Sequence, residues 1–187
     1  MINRVHFYET LKKSLVNKFT EGQVQGFNSI MDEFDSRRLF NDTRMLAYLL
    51  ATCWHETAKT MQPIVEYGKG KGRPYGQKLK MSGKPYELPN QLYYGRGFVQ
   101  LTWFENYDKA GQKLGVDLLN NPELALNLKV ATVILFNGMI EGWFTGKKLK
   151  DYINSKTDYI GARKIINGTD KASLIASYAN AFHVAIG

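Results

Sequence analysis

The sequence predicts a mainly helical domain with a small β element set into it. Apolar residues recur at helical spacing before and after the middle of the chain. The middle, residues 63–101, is instead rich in glycine and holds only short extended runs. Because no internal repeat, low-complexity tract or linker divides the chain, we expect a single domain over residues 1–187.

The first two predicted helices have clear starts. One opens with a capping box, since Gln23 lies three residues after Thr20. Its apolar positions are Val24, Phe27, Ile30, Met31 and Phe34. The other begins at Asn41 or Asp42, either of which can cap it, and ends near Lys59. Its apolar positions are Met45, Leu46, Leu49, Leu50, Cys53 and Trp54.

The middle of the chain is predicted to form a small antiparallel sheet or hairpin. Residues 63–67 are typical of a short strand, and residues 92–94 and 98–101 of extended segments that Gly95 and Gly97 interrupt. Helices then resume. They are predicted at residues 104–114, at 122–140, where Pro122 occupies a first-turn position, and at 147–153, 159–166 and 171–184.

Composition limits the class of protein. Hydrophobic residues make up 44% of the chain, a globular value that argues against disorder. The longest apolar run, residues 130–136, is too short to span a bilayer. Residues 1–10 contain no uninterrupted apolar stretch, so we expect no signal peptide and synthesis in the cytosol. Cys53 is the only cysteine, which excludes an intramolecular disulfide.

The chain is basic, with a formal net charge of +8. Such a charge favours a polyanionic partner: nucleic acid, an anionic membrane or an anionic cell wall. Much of it lies in a glycine-rich basic segment, residues 69–84, which is an ordinary solvated loop or a polyanion-binding one. Its cations are Lys69, Lys71, Arg73, Lys78, Lys80 and Lys84.

Glu56 is the first candidate catalytic residue. Leu49, Cys53 and Glu56 share one helix face, so the carboxyl group extends an apolar stripe. An apolar setting and the C-terminal end of a helix both favour a protonated carboxyl, the form that a general acid needs. The alternative is that Glu56 lies at the edge of the stripe and is solvated.

No metal or cofactor site is expected. His55-Glu56 begins a zincin-like pattern, but the second histidine that this motif requires is replaced by Lys59. The remaining histidines are far away in sequence. The glycines of residues 68–76 match neither a P-loop nor a dinucleotide fingerprint.

Glu66 is the second candidate carboxylate. It lies ten residues after Glu56, among glycines and lysines, whose positive charges favour an ionised carboxylate. One protonated and one ionised carboxyl group are what glycoside cleavage by acid and base requires. A chance pair of glutamates at this spacing is common, so the pair needs further support.

Residues 93–103 supply that support. Sugar-binding clefts use flat aromatic faces and planar hydrogen-bonding groups, which Tyr94, Trp103, Arg96 and Gln100 provide. The glycines between them permit tight backbone geometry beside a ligand. A β-hairpin packed only by its aromatic residues would not require these polar side chains together.

These segments, in this order, resemble glycoside hydrolase family 19 chitinases, especially their single-domain bacteriophage endolysin branch. The resemblance runs from about Thr20 to the C-terminus, and the segment 141–149 resembles the phage branch in particular. The matching motifs are His55-Glu56-Thr57, Glu66, the segment 94–102, Asn106-Tyr107 and the segment 165–168.

The resemblance implies a lysozyme-like helical fold with a small β lobe and a mechanism that inverts the anomeric configuration. It implies that Glu56 is the general acid, that Glu66 is the general base, and that Thr102, in place of the usual serine, helps to hold the attacking water. Together with the planar groups above, the expected substrate-binding residues are His55, Tyr94, Arg96, Gln100, Trp103, Asn106, Arg163 and Asn167.

For the substrate we expect peptidoglycan, because it adds lactyl-peptide arms and negative charge to the sugar backbone, which suits the basic chain and the basic segment after Glu66. The protein would then be a monomeric endolysin without a separate wall-binding domain, acting in the periplasm after release through the inner membrane. Its basic segment 69–84 could also contact anionic outer-membrane or wall polymers. The alternatives are a chitinase and a non-catalytic glycan-binding module. Nucleic acid is not expected, because no nucleic-acid motif is present.

Overall fold

The computed structural model describes residues 1–37 and 40–187. Along the chain, α-helices precede and follow the two strands of a very small sheet. The helices are α1 (Arg4–Ser14), α2 (Glu21–Ser36), α3 (Thr43–Glu56), α4 (Phe104–Leu114), α5 (Leu128–Glu141), α6 (Leu149–Tyr152) and α7 (Ala172–Ile186). The strands are β1 (Ile64–Val65) and β2 (Arg96–Gly97), and 3₁₀ helices cover Pro74–Gly76, Pro122–Leu126 and Gly161–Ile165.

The helix starts that local chemistry predicted are confirmed. The Thr20 hydroxyl accepts a hydrogen bond from the Gln23 amide at 3.1 Å, and the Gln23 side chain accepts one from the Thr20 amide at 2.9 Å. Asp42 caps α3 by accepting from the Arg44 amide at 2.9 Å. Both caps satisfy amides that the first helical turn leaves without partners.

Two of the later predicted helices are shorter than expected. The segment 122–140 divides at Asn127, whose side chain accepts from the amides of Lys129 and Val130 and so starts α5 anew. The segment 159–166 forms only the 3₁₀ helix Gly161–Ile165. Helix α1 was not predicted, because only Phe7 and Leu11 of its residues are buried and its apolar stripe is narrow.

Helix α3 is the central element of the core. Every residue from Leu46 to Trp54 is buried, and the helix packs most extensively along α7. Trp54 stacks on Phe27 of α2 at 5.8 Å between ring centroids, and its edge meets Phe182 of α7 at 6.2 Å. Because it is held on several sides, α3 presents its last turn in a defined position.

The sheet is a single antiparallel pair, in which Ile64 faces Gly97 and Val65 faces Arg96. The predicted strand at residues 98–101 is replaced by a tight turn, after which Leu101 bridges back to Arg96. Gln100 makes this turn possible with a φ of +52°. The sheet therefore places the residue after β1, Glu66, directly beside the turn.

No helix in residues 1–37 and 40–187 combines the length and the apolar character that crossing a membrane would require.

Candidate active site

Glu56 is the last residue of α3, and its side chain is 16% exposed. Its Oε1 accepts a hydrogen bond of 2.5 Å from Nη1 of Arg163, whose side chain is 4% exposed. Arg163 is held in turn by its Nε, which donates to the carbonyl of Asp170 at 3.0 Å. Glu56 is therefore one half of a partly buried ion pair, and not the isolated carboxyl group that the apolar stripe suggested.

The residues around Glu56 stop the helix sharply. The Thr57 hydroxyl donates to the carbonyl of Cys53 at 2.8 Å and accepts from the Met61 amide at 3.0 Å. Ala58 then adopts a φ of +49°, which turns the chain out of the helical direction. His55 is half-buried, and this burial lowers the pKa of its imidazole, so the neutral form is favoured beside Glu56.

Glu66 follows β1 and is held entirely by a different part of the chain. Its amide donates to the carbonyl of Gly95 at 2.7 Å, and the Gly95 amide donates to its Oε2 at 2.9 Å. Its Oε1 accepts a hydrogen bond from the Tyr75 hydroxyl at 2.8 Å. Each carboxylate oxygen therefore has one protein donor and keeps room for another.

Gly95 is necessary for this arrangement. A Cβ atom at this position would lie 2.9 Å from Oε1 of Gln100 and 3.0 Å from Cβ of Glu66. The Gln100 amide nitrogen is itself fixed, because it donates to the carbonyls of Ile64 at 3.1 Å and Gly97 at 3.3 Å. A larger residue would therefore separate Glu66 from the turn.

The turn carries two strained residues on either side of Thr102. Gln100 and Trp103 have φ angles of +52° and +72°, a region that residues with side chains rarely adopt. Such strain is typical of functional sites. Thr102, half-buried between them, lines a cavity of about 190 Å³. Its walls are Met81, Val99, Gln100, Leu101, Thr102, Trp103, Asn106, Phe144 and Ile166.

A larger cavity of about 530 Å³ lies between α2 and α5. Its lining residues, such as Asn28 and Ser29, include none of the predicted site residues. We assign the candidate site to the smaller cavity, because strained backbone lines it and because Glu66 is linked to its wall through Tyr75, whose ring contacts Trp103. Size alone does not identify a site.

The structure corrects the position expected for Arg96. Arg96 is 2% exposed, and its guanidinium pairs with Glu123 at 2.8 Å and donates to the hydroxyl of Tyr107 and the carbonyls of Leu92 and Tyr94. It also lies 3.7 Å from the centroid of the Tyr94 ring. This burial argues against direct contact with a sugar, because the donors of Arg96 serve to fix the 92–96 backbone.

The other predicted site residues fall into two groups. Gln100, Thr102, Trp103 and Asn106 share one cavity. Asn167 forms the second group and follows Arg163 closely in the chain. It is exposed, and its side chain accepts a hydrogen bond from the Gly168 amide at 2.9 Å.

Within residues 1–37 and 40–187, no three His, Cys, Asp or Glu side chains cluster closely enough to hold a metal ion.

Tyr75 is a site residue that the sequence reasoning missed. Its hydroxyl contacts Glu66, and its ring meets that of Trp103 edge-on at 5.5 Å. The only signal was an aromatic residue in Pro74-Tyr75-Gly76, inside a segment composed mostly of glycine and polar residues. A single tyrosine between a proline and a glycine does not indicate its partner.

The structure is a mainly helical domain in which Glu56 and Glu66 are each held by hydrogen bonds from other segments of the chain. Residues 40–173 match the family model of the class I chitinases, and the chain therefore belongs to glycoside hydrolase family 19. The full chain aligns with chitinase C of Streptomyces griseus HUT6037 at a TM-score of 0.64 and 21% identity, covering 76% of that chain. A class IV chitinase of Zea mays aligns over 96% of this chain and 90% of its own, at a TM-score of 0.56 and 18% identity.

These likenesses confirm the predicted fold class: a mainly helical, lysozyme-like domain with a small antiparallel β lobe. Similarity to curated relatives is more local. Endochitinase CH5B of Phaseolus vulgaris is 38% identical over 85 residues, which are 46% of this chain and 24% of that protein. Inactive chitinase-like protein 1 of Hevea brasiliensis is 52% identical over 59 residues, 30% of this chain and 17% of that protein. The matched segments thus span a quarter or less of these relatives.

Proposed function

We propose that this family 19 protein hydrolyses β-1,4 bonds between N-acetylated amino sugars, with Glu56 as general acid and Glu66 as general base. The observation that carries the proposal is the pair of glutamates, which two separate elements hold with different donors. Likeness alone does not establish catalysis, because the similar proteins include an endochitinase and one that is named inactive.

The chemistry follows from the contacts. Glu56 donates its proton to the glycosidic oxygen that leaves, and Arg163, at 2.5 Å, stabilises the carboxylate that remains. Glu66 takes a proton from a water molecule, which attacks the anomeric carbon from the opposite face. Thr102 orients that water without accepting its proton. An inverting enzyme needs about 6.5–9.5 Å between the two carboxyl groups to admit the water.

The curated relatives favour chitin as the polymer. The matched plant proteins are endochitinases or chitinase-like, which supports the chitinase alternative better than the peptidoglycan hydrolase that the charge suggested. Chitin and peptidoglycan share the N-acetylated β-1,4 backbone, so one cleft is compatible with both.

One observation keeps peptidoglycan as the second candidate. Lys69, Lys71 and Arg73 are exposed on the segment that follows Glu66, and within residues 1–37 and 40–187 none of them forms an ion pair. Three free cations beside the base would attract an anionic polymer. In this form of the proposal the protein is a monomeric, single-domain endolysin of the phage branch, acting on the periplasmic wall after release from the cytoplasm.

The test compares both polymers with one enzyme preparation. Purified peptidoglycan, with and without borohydride reduction, and chitin oligosaccharides are digested, and the products are identified by mass spectrometry. Cleavage of the chitin oligosaccharides into shorter ones, without cleavage of peptidoglycan, supports the chitinase. New reducing ends in peptidoglycan support the endolysin. Binding of either polymer without any cleavage would instead indicate a glycan-binding module.

The stereochemistry tests the mechanism independently of the polymer. Proton NMR of a soluble oligosaccharide digest should show the α-anomer of the new reducing end first, because the water attacks opposite the leaving group. First appearance of the β-anomer would refute inversion.

A further inference from the structure

The segment that follows Glu66 consists of consecutive turns closed by backbone hydrogen bonds. The Lys69 amide donates to the carbonyl of Glu66 at 3.1 Å, and that of Arg73 to Gly70 at 2.9 Å. Gly70 and Gly76 pass so closely that a Cβ on Gly76 would lie 2.0 Å from the Gly70 carbonyl oxygen. The segment therefore holds Tyr75, in the 3₁₀ helix Pro74–Gly76, in a defined orientation.

This segment is also attached to the start of α4. The Met81 amide donates to Oε1 of Glu105 at 2.9 Å, and Nζ of Lys80 lies 4.6 Å from the centroid of the Phe104 ring. The Tyr75 ring meets Trp103, the residue before α4, at 5.5 Å with an interplanar angle of 73°. These contacts hold the Tyr75 hydroxyl against Oε1 of Glu66, the carboxylate oxygen that the Gly95 amide does not contact.

We propose that Tyr75 is a positioning residue, which orients the Glu66 carboxylate for water activation by donating a hydrogen bond to its Oε1. The inference rests on the proposed role of Glu66 as base. Without Tyr75, the Gly95 amide would be the one remaining donor to the carboxylate in the described part of the chain, and a single bond to Oε2 leaves the group free to rotate about its side chain. With both bonds, the direction of the remaining lone pairs is set.

Tyr75 is suited to this role throughout the working pH range. Burial, strengthened by the hydrogen bond to Glu66, raises the pKa of Tyr75 to about 12, so the hydroxyl remains a donor. Its ring contact with Trp103 does not depend on the hydroxyl. Removal of the oxygen alone therefore separates the hydrogen bond from the packing.

The test compares Tyr75→Phe with Tyr67→Phe. Tyr67 belongs to the same segment, is fully exposed, and its hydroxyl has no hydrogen-bond partner in the described part of the chain, so Tyr67→Phe should behave like the native protein. Tyr75→Phe should lower kcat by roughly 10-fold, the scale of a hydrogen bond to a charged group, and leave KM within about twofold. The thermal unfolding midpoint of each variant shows whether the fold is kept.

The pH profile distinguishes positioning from a merely structural role. A carboxylate that loses a donor is protonated more readily, so the acidic limb of the rate profile of Tyr75→Phe should move to higher pH. Native kcat in a folded Tyr75→Phe protein would overturn the inference, as would a rise in KM alone, which would make Tyr75 a substrate contact. Full activity of a Glu66→Gln variant would show that Glu66 is not the base. That outcome differs from failure of the Tyr75 inference alone, in which Glu66→Gln is impaired and Tyr75→Phe is not.

Discussion

The two glutamates of the site are held in opposite ways. Glu56 lies at the end of a buried helix and pairs with a buried arginine that is 107 residues further along the chain. Glu66 lies after a strand of two residues and depends on neutral donors, one backbone amide and one tyrosine hydroxyl. The hydrogen bond to the first carboxyl group therefore comes from a charged donor, whereas those to the second come from neutral donors.

The difference matches what the two groups are proposed to do. A general acid finishes proton transfer as an anion, and a nearby guanidinium stabilises that charge. A general base must turn a carboxylate oxygen towards water, and this needs orientation more than compensation of charge. In this proposal the acid lies at the end of the rigid helix α3, and the base lies after β1, where the chain enters a glycine-rich segment that can approach a ligand closely.

The largest expected effect is that of removing the acid. Glu56→Gln keeps the shape and an oxygen that can accept from Arg163, but has no proton to donate. The rate should fall by at least about 100-fold, and the protein should still fold. Rates and circular dichroism are compared with those of Glu87→Gln, which changes an exposed glutamate. Near-native activity of a folded Glu56→Gln protein would contradict the assignment.

Removal of the base tests the other half of the comparison. Glu66→Gln should be severely impaired, and Thr102→Ala should be impaired less, because threonine orients the water while Glu66 takes its proton. Both variants are assayed on the oligosaccharide used for the anomer measurement. Equal losses would give Thr102 a larger role than proposed, and an active Glu66→Gln variant would move the base to another carboxylate.

The charge beside Glu66 has a smaller effect, which depends on the polymer. If the basic segment recruits the anionic wall, activity on whole peptidoglycan should fall as salt is raised towards about 1 M. At that concentration the interaction between exposed charges reaches only about 3 Å. Changing Lys69, Lys71 and Arg73 to glutamine should flatten that dependence.

A matched control changes three exposed lysines near the N-terminus, Lys12, Lys13 and Lys18, to glutamine and lowers the net charge equally. If both triple variants keep the native rate and salt profile, the basic segment is an ordinary solvated loop. If both lose the salt dependence to the same extent, only the overall charge matters.

The smallest effect concerns stability near Glu56. Because burial lowers the pKa of His55, the unfolded state binds a proton at higher pH than the folded state. Stability should therefore fall as the pH drops below about 6.5, the ordinary pKa of histidine. His55→Gln should lessen that fall, and His6→Gln, at an exposed position, should not. Urea unfolding at about pH 7.5 and about pH 5 measures both.

Local chemistry explains which parts of the fold were predictable. The caps at Thr20 and Asp42 and the apolar face of α3 depend on residues within a few positions of one another, so their pattern is visible in the sequence. The break at Asn127 also depends on local hydrogen bonds. The apolar residues on both sides of Asn127 favour an unbroken helix, however, and the sequence pattern alone does not decide between a break and a continuous helix.

The candidate site divides in the same way. The sequence by itself placed Glu56 in the last turn of an apolar helix, and Gln100, Thr102 and Trp103 in a segment that Gly95 and Gly97 interrupt. Only the tertiary structure decided that Arg163 meets Glu56, that Tyr75 meets Glu66 and that Arg96 turns inward to Glu123. The reason is physical: a charged or hydroxyl group takes whichever partner the packing of distant segments brings within about 3 Å, and no periodicity along the chain records that choice.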